Sequence, residues 1–224
     1  MSKHVRRLEV REGYDQWAST YDTTANPLVA LDRRYTLRFL RPNVGERILD
    51  AGCGTGWNLQ LLRRAGSEPT GIDFSYGMLA AAQYKNPTAP LAQADLNQAL
   101  PVRKNVFDAA LCALVGEHLT NLSSTFRELF AALRPGGRLV FSVFHPEMAA
   151  VGKESNFEQE GVEYRLGAYR YSVTDYLTVL DDCGFCGVRH HEFRGDQALL
   201  DEVPSAIAFV GQPLLLVIEA RREI

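Results

Sequence analysis

From about residue 46 the chain alternates short apolar runs with stretches whose apolar residues recur every three to four positions. That alternation is the mark of strands joined by helical crossovers in a parallel sheet. Arg47-Ile48-Leu49-Asp50 reads as the first strand, closed by Gly52-Cys53-Gly54-Thr55-Gly56 and followed by a helix carrying Leu59, Leu62 and Ala65. Thr70 to Asp73 reads as a second strand, Ser75 as the cap of a helix with Met78, Leu79 and Ala82, and Leu91 to Ala94 as a third strand. Phe107 to Ala113 makes a fourth. Phe126, Leu129, Phe130 and Leu133 then fall on one helical face, which Pro135-Gly136-Gly137 ends. Arg138 to Phe144 is the fifth strand.

Between His145 and Tyr171 no periodicity is legible, and this stretch reads as an insertion. Order returns with Ser172 and Asp175 at capping-box spacing, ahead of Val173, Tyr176, Leu177 and Leu180 on one face. Gly184 stops that helix. Gly187 to Phe193 and Leu214 to Ala220 are the last strands; the run Leu214-Leu215-Leu216-Val217-Ile218 suits a strand buried on both faces. The class is α/β. No repeat, low-complexity tract or linker breaks the text, so residues 1–224 are read as one domain.

Composition narrows the partners. Of 224 residues 46% are hydrophobic and 23% charged, and Lys plus Arg (24) against Asp plus Glu (27) gives a net charge of -3. A folded chain without basic excess is a poor match for nucleic acid. No apolar run is long enough for a membrane span, and the start, Met1-Ser2-Lys3-His4, lacks the apolar stretch of a secretory signal, so a cytoplasmic protein is expected. Cys53, Cys112, Cys183 and Cys186 are too scattered for a disulfide framework and are expected to be reduced. Cys183 and Cys186 form a lone C-x-x-C with no second pair at zinc spacing, and His190-His191 would point to opposite faces of a strand; no metal site is expected.

In an open parallel sheet, ligands sit beyond the carboxyl ends of the strands, which directs attention to Asp50-Ala51-Gly52-Cys53-Gly54-Thr55-Gly56. Glycine allows both the turn and the close approach of a ligand to the backbone, and helix amides face it. Asp73 ends the second strand where an acid can accept both hydroxyls of a ribose, and Asp95 ends the third similarly. Three acids ending three successive strands point to one ligand. The glycine spacing departs from the dinucleotide fingerprint G-x-G-x-x-G, because Gly56 comes one residue early and Trp57 follows, and no triphosphate loop is present. A nicotinamide-dependent oxidoreductase is thereby disfavoured.

Asp50-x-Gly52-x-Gly54-x-Gly56 resembles the first motif of the class I S-adenosylmethionine (SAM)-dependent methyltransferases. Gly71-Ile72-Asp73-Phe74-Ser75-x-x-Met78-Leu79, Ala94-Asp95-Leu96 and Leu133-Arg134-Pro135-Gly136-Gly137 are similar to later segments of that family. Tyr14-Asp15-x-Trp17-Ala18-x-x-Tyr21-Asp22 resembles the lid of its small-molecule branch, which includes ubiquinone and menaquinone pathway enzymes. The resemblance runs from about residue 14 to 144 and implies a Rossmann-like, seven-stranded, mostly parallel sheet with the last strand antiparallel and helices on both faces. It also implies an N-terminal helical lid over residues 1–45 and a substrate-side insertion over 145–171.

The cofactor it implies is SAM, leaving as S-adenosylhomocysteine. Gly52 and Gly54 would meet the methionine moiety, with Asp50 orienting that loop or the ammonium. Asp73 would bind the ribose and Asp95 the adenine amino group, with Leu96 and Met78 beside the ring. Tyr14 and Tyr21 would close over the cofactor, and Cys53, Asn58, Phe74 and Cys112 complete the implied set.

SAM brings an electrophilic methyl, so the protein's main task is alignment of an acceptor, worth about 7 to 11 kcal/mol where reacting groups are well placed. A base adds about 10²- to 10⁴-fold. His118 and His145, after the fourth and fifth strands, are the candidates for it, against capping or packing roles. Ala113-Leu114-Val115-Gly116 stands where an Asn/Asp-Pro-Pro-Tyr motif would have suggested transfer to an amide or base amino group. The expectation is methyl transfer to oxygen, nitrogen or carbon of a small molecule; the alternative is a non-catalytic regulator that binds SAM or S-adenosylhomocysteine.

Overall fold

In a computed structural model, residues 4–223 are described. The chain begins with β1 (His4–Arg7), α1 (Val10–Trp17) and α2 (Pro27–Leu40). The alternating part runs β2 (Arg47–Ala51), α3 (Trp57–Arg64), β3 (Glu68–Asp73), α4 (Tyr76–Lys85), β4 (Leu91–Gln93), β5 (Phe107–Ala113), α5 (Leu122–Ala132) and β6 (Leu133–Phe144). After it come α6 (Pro146–Ala150), β7 (Asn156–Gln159), β8 (Val162–Arg165), α7 (Val173–Asp182), β9 (Phe185–Arg194), α8 (Gln197–Glu202) and β10 (Pro213–Arg222).

Seven strands form one sheet in the order β4-β3-β2-β5-β6-β10-β9. Only β10 runs against its neighbours, antiparallel to both β6 and β9, so the expected seven-stranded architecture is present with the reversed strand inside the sheet. Side-chain alternation along each strand divides the core between the two faces. Leu49, Ala110, Phe141, Leu216 and Ile218 pack with Phe126 and Leu129 of α5 and Tyr176 and Leu180 of α7. Ile48, Leu111, Val140, Leu215 and Val217 pack on the other side with Leu31 and Leu40 of α2, Leu62 of α3 and Leu199 of α8. Because β2 pairs with β3 on one side and β5 on the other, strand order reverses at β2, and a crevice opens at the carboxyl ends there.

Three local expectations are corrected. The N-terminal segment is not wholly helical: β1 pairs in parallel with β8, His4 opposite Val162 and Arg7 opposite Arg165. The stretch 145–171, patternless in sequence, contains α6 and a hairpin of β7 and β8, giving a separate three-stranded sheet in the order β1-β8-β7. The hairpin turn is Glu160-Gly161, both at positive φ (52° and 76°), where Asn-Gly is the usual signal and Glu hides it. Leu133 is not the last helical residue but the first of β6, paired with Phe107, and the chain bends at Gly136 before rejoining β5 at Arg138.

Helix ends follow their caps. Asn26 accepts the amides of Leu28 and Val29 ahead of Pro27 in α2, Ser75 caps α4, and Ser172 with Asp175 forms the capping box of α7. No helix among the described residues is long and apolar enough to cross a membrane.

Candidate active site

The loop after β2 is built from left-handed glycines. Gly52, Gly54 and Gly56 have φ of 81°, 52° and 79°, a conformation that costs other residues steric strain. The amides of Gly52 and Cys53 both donate to Ile72 O (2.7 and 2.9 Å), which ties the loop to β3. A Cβ on Gly52 would lie 2.4 Å from Val115 Cγ1, whereas one on Gly54 would meet nothing, because that residue faces open space. The loop lines a cleft of about 620 Å³, its mouth included, together with Tyr14, Tyr21, Asp73, Phe74, Met78, Asp95, Leu96 and His118.

Asp73 lies at the end of β3 with its carboxylate already oriented: Oδ2 accepts the amide of Gly54 and Oδ1 that of Ser75, both at 2.9 Å. Burial raises its pKa, and the amides of Ser75, Gly54 and Phe74 oppose the rise. Each oxygen keeps a lone pair for a further donor. Asp95 Oδ1 accepts the amide and side chain of Asn97, whose own Oδ1 receives the amide and hydroxyl of Thr120. That chain fixes the β4 and β5 sides of the cleft to each other.

Asp50 is wholly buried and neither carboxylate oxygen has a hydrogen-bond partner. Burial, with the nearby charges of Asp73 and Asp32, pushes it up to about 8. A buried acid without partners is costly unless something else meets it.

The lid is pinned by two carboxylates. Asp15 accepts the Ser75 hydroxyl at 2.6 Å and the Gly77 amide at 2.8 Å, at the start of α4. Asp22 accepts the Thr55 hydroxyl and pairs with Arg33, each at 3.0 Å, and also pairs with Lys85. Next to each pin in sequence, Tyr14 and Tyr21 reach the cleft, and the Tyr14 hydroxyl is 3.0 Å from Nε2 of His118. Burial lowers His118 to about 4, so the imidazole is neutral at physiological pH. Leu114, also in the cleft wall, has φ of 55°; left-handed backbone at a leucine is strain of the kind that collects at ligand sites.

A Methyltransferase domain model matches residues 49–141. A demethylmenaquinone methyltransferase of Corynebacterium kroppenstedtii is 35% identical over 141 residues, 61% of this chain and 60% of that protein. A malonyl-[acyl-carrier protein] O-methyltransferase of Pseudescherichia vulneris is 30% identical over 179 residues, 77% of this chain and 67% of that protein. The crystal structure of a SAM-dependent methyltransferase from Mesorhizobium loti superposes with a TM-score of 0.69 at 28% identity, covering 83% of this chain and 95% of that one. The chain belongs to the class I SAM-dependent methyltransferases. Its cofactor is SAM.

In this methyltransferase the cleft wall includes nine of the residues singled out from sequence: Tyr14, Tyr21, Gly52, Gly54, Asp73, Phe74, Met78, Asp95 and Leu96, joined by His118. Asp50 lies beneath the loop. Cys53 packs against Leu59 and Leu79 under the same loop, Cys112 is a core residue of β5, and Asn58 is half-buried in the first turn of α3; none of these three lines the cleft.

His145 does not line it either. Its amide donates to Leu214 O at 2.9 Å, its Nδ1 accepts the Glu147 amide at 3.3 Å as cap of α6, and its Nε2 is 3.6 Å from Glu192 on β9. Antiparallel β10 holds the end of β6, Leu215 opposite Phe144. The four cysteines are free, and no group of three metal-ligating side chains occurs among the described residues. Sequence reasoning missed Asp22, Asn97, Val115 and Glu117. Asp22 was visible in the lid motif and Val115 in the segment after the fourth strand; Asn97 and Glu117 belong to no pattern and are brought in by loops.

Proposed function

We propose that this methyltransferase moves the methyl group of SAM to a small acceptor held between the lid and the turn that follows β5. The observation that carries the reading is the convergence of the open Gly52–Gly54 backbone, the oriented Asp73 carboxylate and the lid tyrosines on one cleft. Asp73 would take the ribose hydroxyls, Asp95 the adenine amino group, and Met78, Phe74 and Leu96 the ring faces. Asp50 would face the charged methionine end. When bound, SAM supplies an electrophilic methyl on a sulfonium.

The chain then has to align and to exclude water. Tyr14, Tyr21 and Trp17 stack and tilt over the cleft with ring centroids 4.9 to 6.4 Å apart, and Trp17 stacks on Phe157 of β7 at 5.1 Å. The hairpin thus backs the lid. Holding reactants in line is worth about 7 to 11 kcal/mol, and neutral His118, hydrogen-bonded to Tyr14, is placed to accept a proton. The apolar wall of Ala113, Leu114, Val115 and Leu119 favours an acceptor with an apolar body, in keeping with relatives named for demethylmenaquinone.

Titration calorimetry with SAM and S-adenosylhomocysteine, followed by incubation with methyl-labelled SAM and a small-molecule extract, tests the reading. Label in a small-molecule product is expected. Tight binding with no labelled product would instead support a binding regulator. Asp73→Ala should weaken SAM binding by about 1 to 3 kcal/mol through lost charge-assisted hydrogen bonds; unchanged affinity would remove the ribose assignment.

A further inference from the structure

The sheet face under α2 continues past the end of that helix at Leu40, and a recess of about 1100 Å³, its mouth included, opens there. Arg41 from the helix end, Arg138 on β6, Glu219 and Arg221 on β10 and Arg189 on β9 line it. Strand register puts the strand residues on one face: Arg221 stands opposite Arg138, and Glu219 opposite both Val140 and Arg189, with Val140 in the core on the α2 side. The recess is at the amino end of β6. From Arg138 to Phe144 at the carboxyl end is about 20 Å of strand, so a small ligand held here does not reach the cofactor cleft.

The charges in the recess do not balance. Arg138 is already engaged as the cap of α2: Nε donates to Leu40 O at 2.6 Å, Nη1 to Glu46 Oε1 at 2.8 Å and Nη2 to Arg41 O at 3.0 Å. Among the described residues Glu219 is the only acid lining the recess, and it is shared by Arg41 Nη2 at 3.7 Å and His191 Nε2 at 3.2 Å. Arg189 and Arg221 are exposed, and among the described residues neither has a hydrogen bond or ion pair. Arg41, Arg189 and Arg221 thus face one carboxylate.

Two features here work against stability. Arg221 directly opposite Arg138 is a like-charge pair across antiparallel strands, which is destabilising. Arg41 ends α2 with φ of 49°, at a position where glycine or asparagine is usual, and strain of that kind collects at ligand sites. Both place a guanidinium at the recess, and the planar fork of arginine matches phosphate oxygens in pairs. We propose that the recess is a second binding site, separate from the cofactor cleft, for a small molecule that carries two linked phosphate groups. Arg189 and Arg221 stand diagonally across β9 and β10, one fork for each phosphoryl group, and Arg41 reaches in from the helix end.

The test is calorimetric titration of the full chain with inorganic pyrophosphate at low salt, with and without saturating S-adenosylhomocysteine. Binding is expected in both, with affinities within about threefold of each other, and orthophosphate should bind at least about tenfold more weakly. Arg189→Gln and Arg221→Gln replace exposed, unpaired side chains and leave the fold intact; each should weaken pyrophosphate binding about fivefold or more. Arg170→Gln, exposed in the loop before α7, should leave it unchanged. A parallel titration with ADP separates the sources of the diphosphate: tighter binding than pyrophosphate assigns a nucleotide, equal binding the diphosphate alone. Absence of pyrophosphate binding at millimolar concentration, its loss when S-adenosylhomocysteine fills the cleft, equal affinity for orthophosphate, or no difference between the recess variants and Arg170→Gln overturns the proposal.

Discussion

The carboxylate of Asp22, in the turn between the two lid helices, accepts the hydroxyl of Thr55 from the glycine-rich loop at 3.0 Å. The same side chain pairs with Arg33 of α2 and Lys85 of α4, and Arg33 lies over the ring of Trp57 at 3.9 Å. Lid, loop and two helices therefore share one anion, and Tyr21 is its neighbour in sequence. Asp22→Asn keeps the size and removes the charge. Cofactor affinity should fall by about 1 kcal/mol, roughly fivefold, mostly through faster dissociation. Stopped-flow release of S-adenosylhomocysteine measures it, and an unchanged off-rate would mean that the latch does not hold the lid.

Asp50 predicts opposite effects on stability and on binding. Its pKa is raised in the folded chain from 3.8 to about 8, so the cost of ionising it in the fold is absent below pH 3.8, grows between pH 3.8 and 8, and is complete above. Asp50→Asn should raise the melting temperature of the ligand-free protein at pH 9, with the gain shrinking toward pH 4, while weakening SAM binding. A melting temperature lowered at pH 9 would refute this trade of stability for function.

His145→Ala should leave cofactor affinity unchanged. What it removes is the cap of α6, worth about 0.5 to 2 kcal/mol, so a loss of several degrees in melting temperature is expected at this chain length. Thermal denaturation beside calorimetry separates the two, and a selective loss of SAM binding would return His145 to the active site.

Gly52→Ala places a methyl 2.4 Å from Val115 Cγ1 at a residue with φ of 81°. Both the loop and the wall of the cleft have to shift. SAM affinity should drop at least tenfold. Val115→Ala in the same chain relieves the contact but not the backbone strain, so partial recovery is the expected calorimetric result; none at all would assign the whole effect to φ.

The alternating core strands and the acids Asp50 and Asp73 at the ends of β2 and β3 were legible because each rests on local rules, period-two burial, glycine at positive φ, an acid closing a strand; β4 stops at Gln93, so Asp95 lies in the turn beyond it and does not end the strand. Leu49 and Ile48 divide between the two faces as alternation requires. The hairpin at Glu160-Gly161 was not legible, since its turn carries Glu at the position where Asn would announce it. His118 and His145 each follow a parallel strand toward the same end of the sheet, and the sequence favoured His145 over His118 as the base; the cleft is lined by His118 and not by His145. His145 lies instead beside β10 and β9, with its amide on Leu214 O and its Nε2 3.6 Å from Glu192.

The sequence by itself determined the sheet, the glycine-rich loop and the acids that follow it, because those features need only neighbours a few residues away. Tertiary structure alone decided that β1 joins a hairpin more than 150 positions later, that Asp22 reaches Thr55, and that Glu117 is shut behind His118 with Ser155 as its hydrogen-bond donor. Such contacts depend on loops closing across the fold, and no local periodicity encodes which polar groups meet when they do.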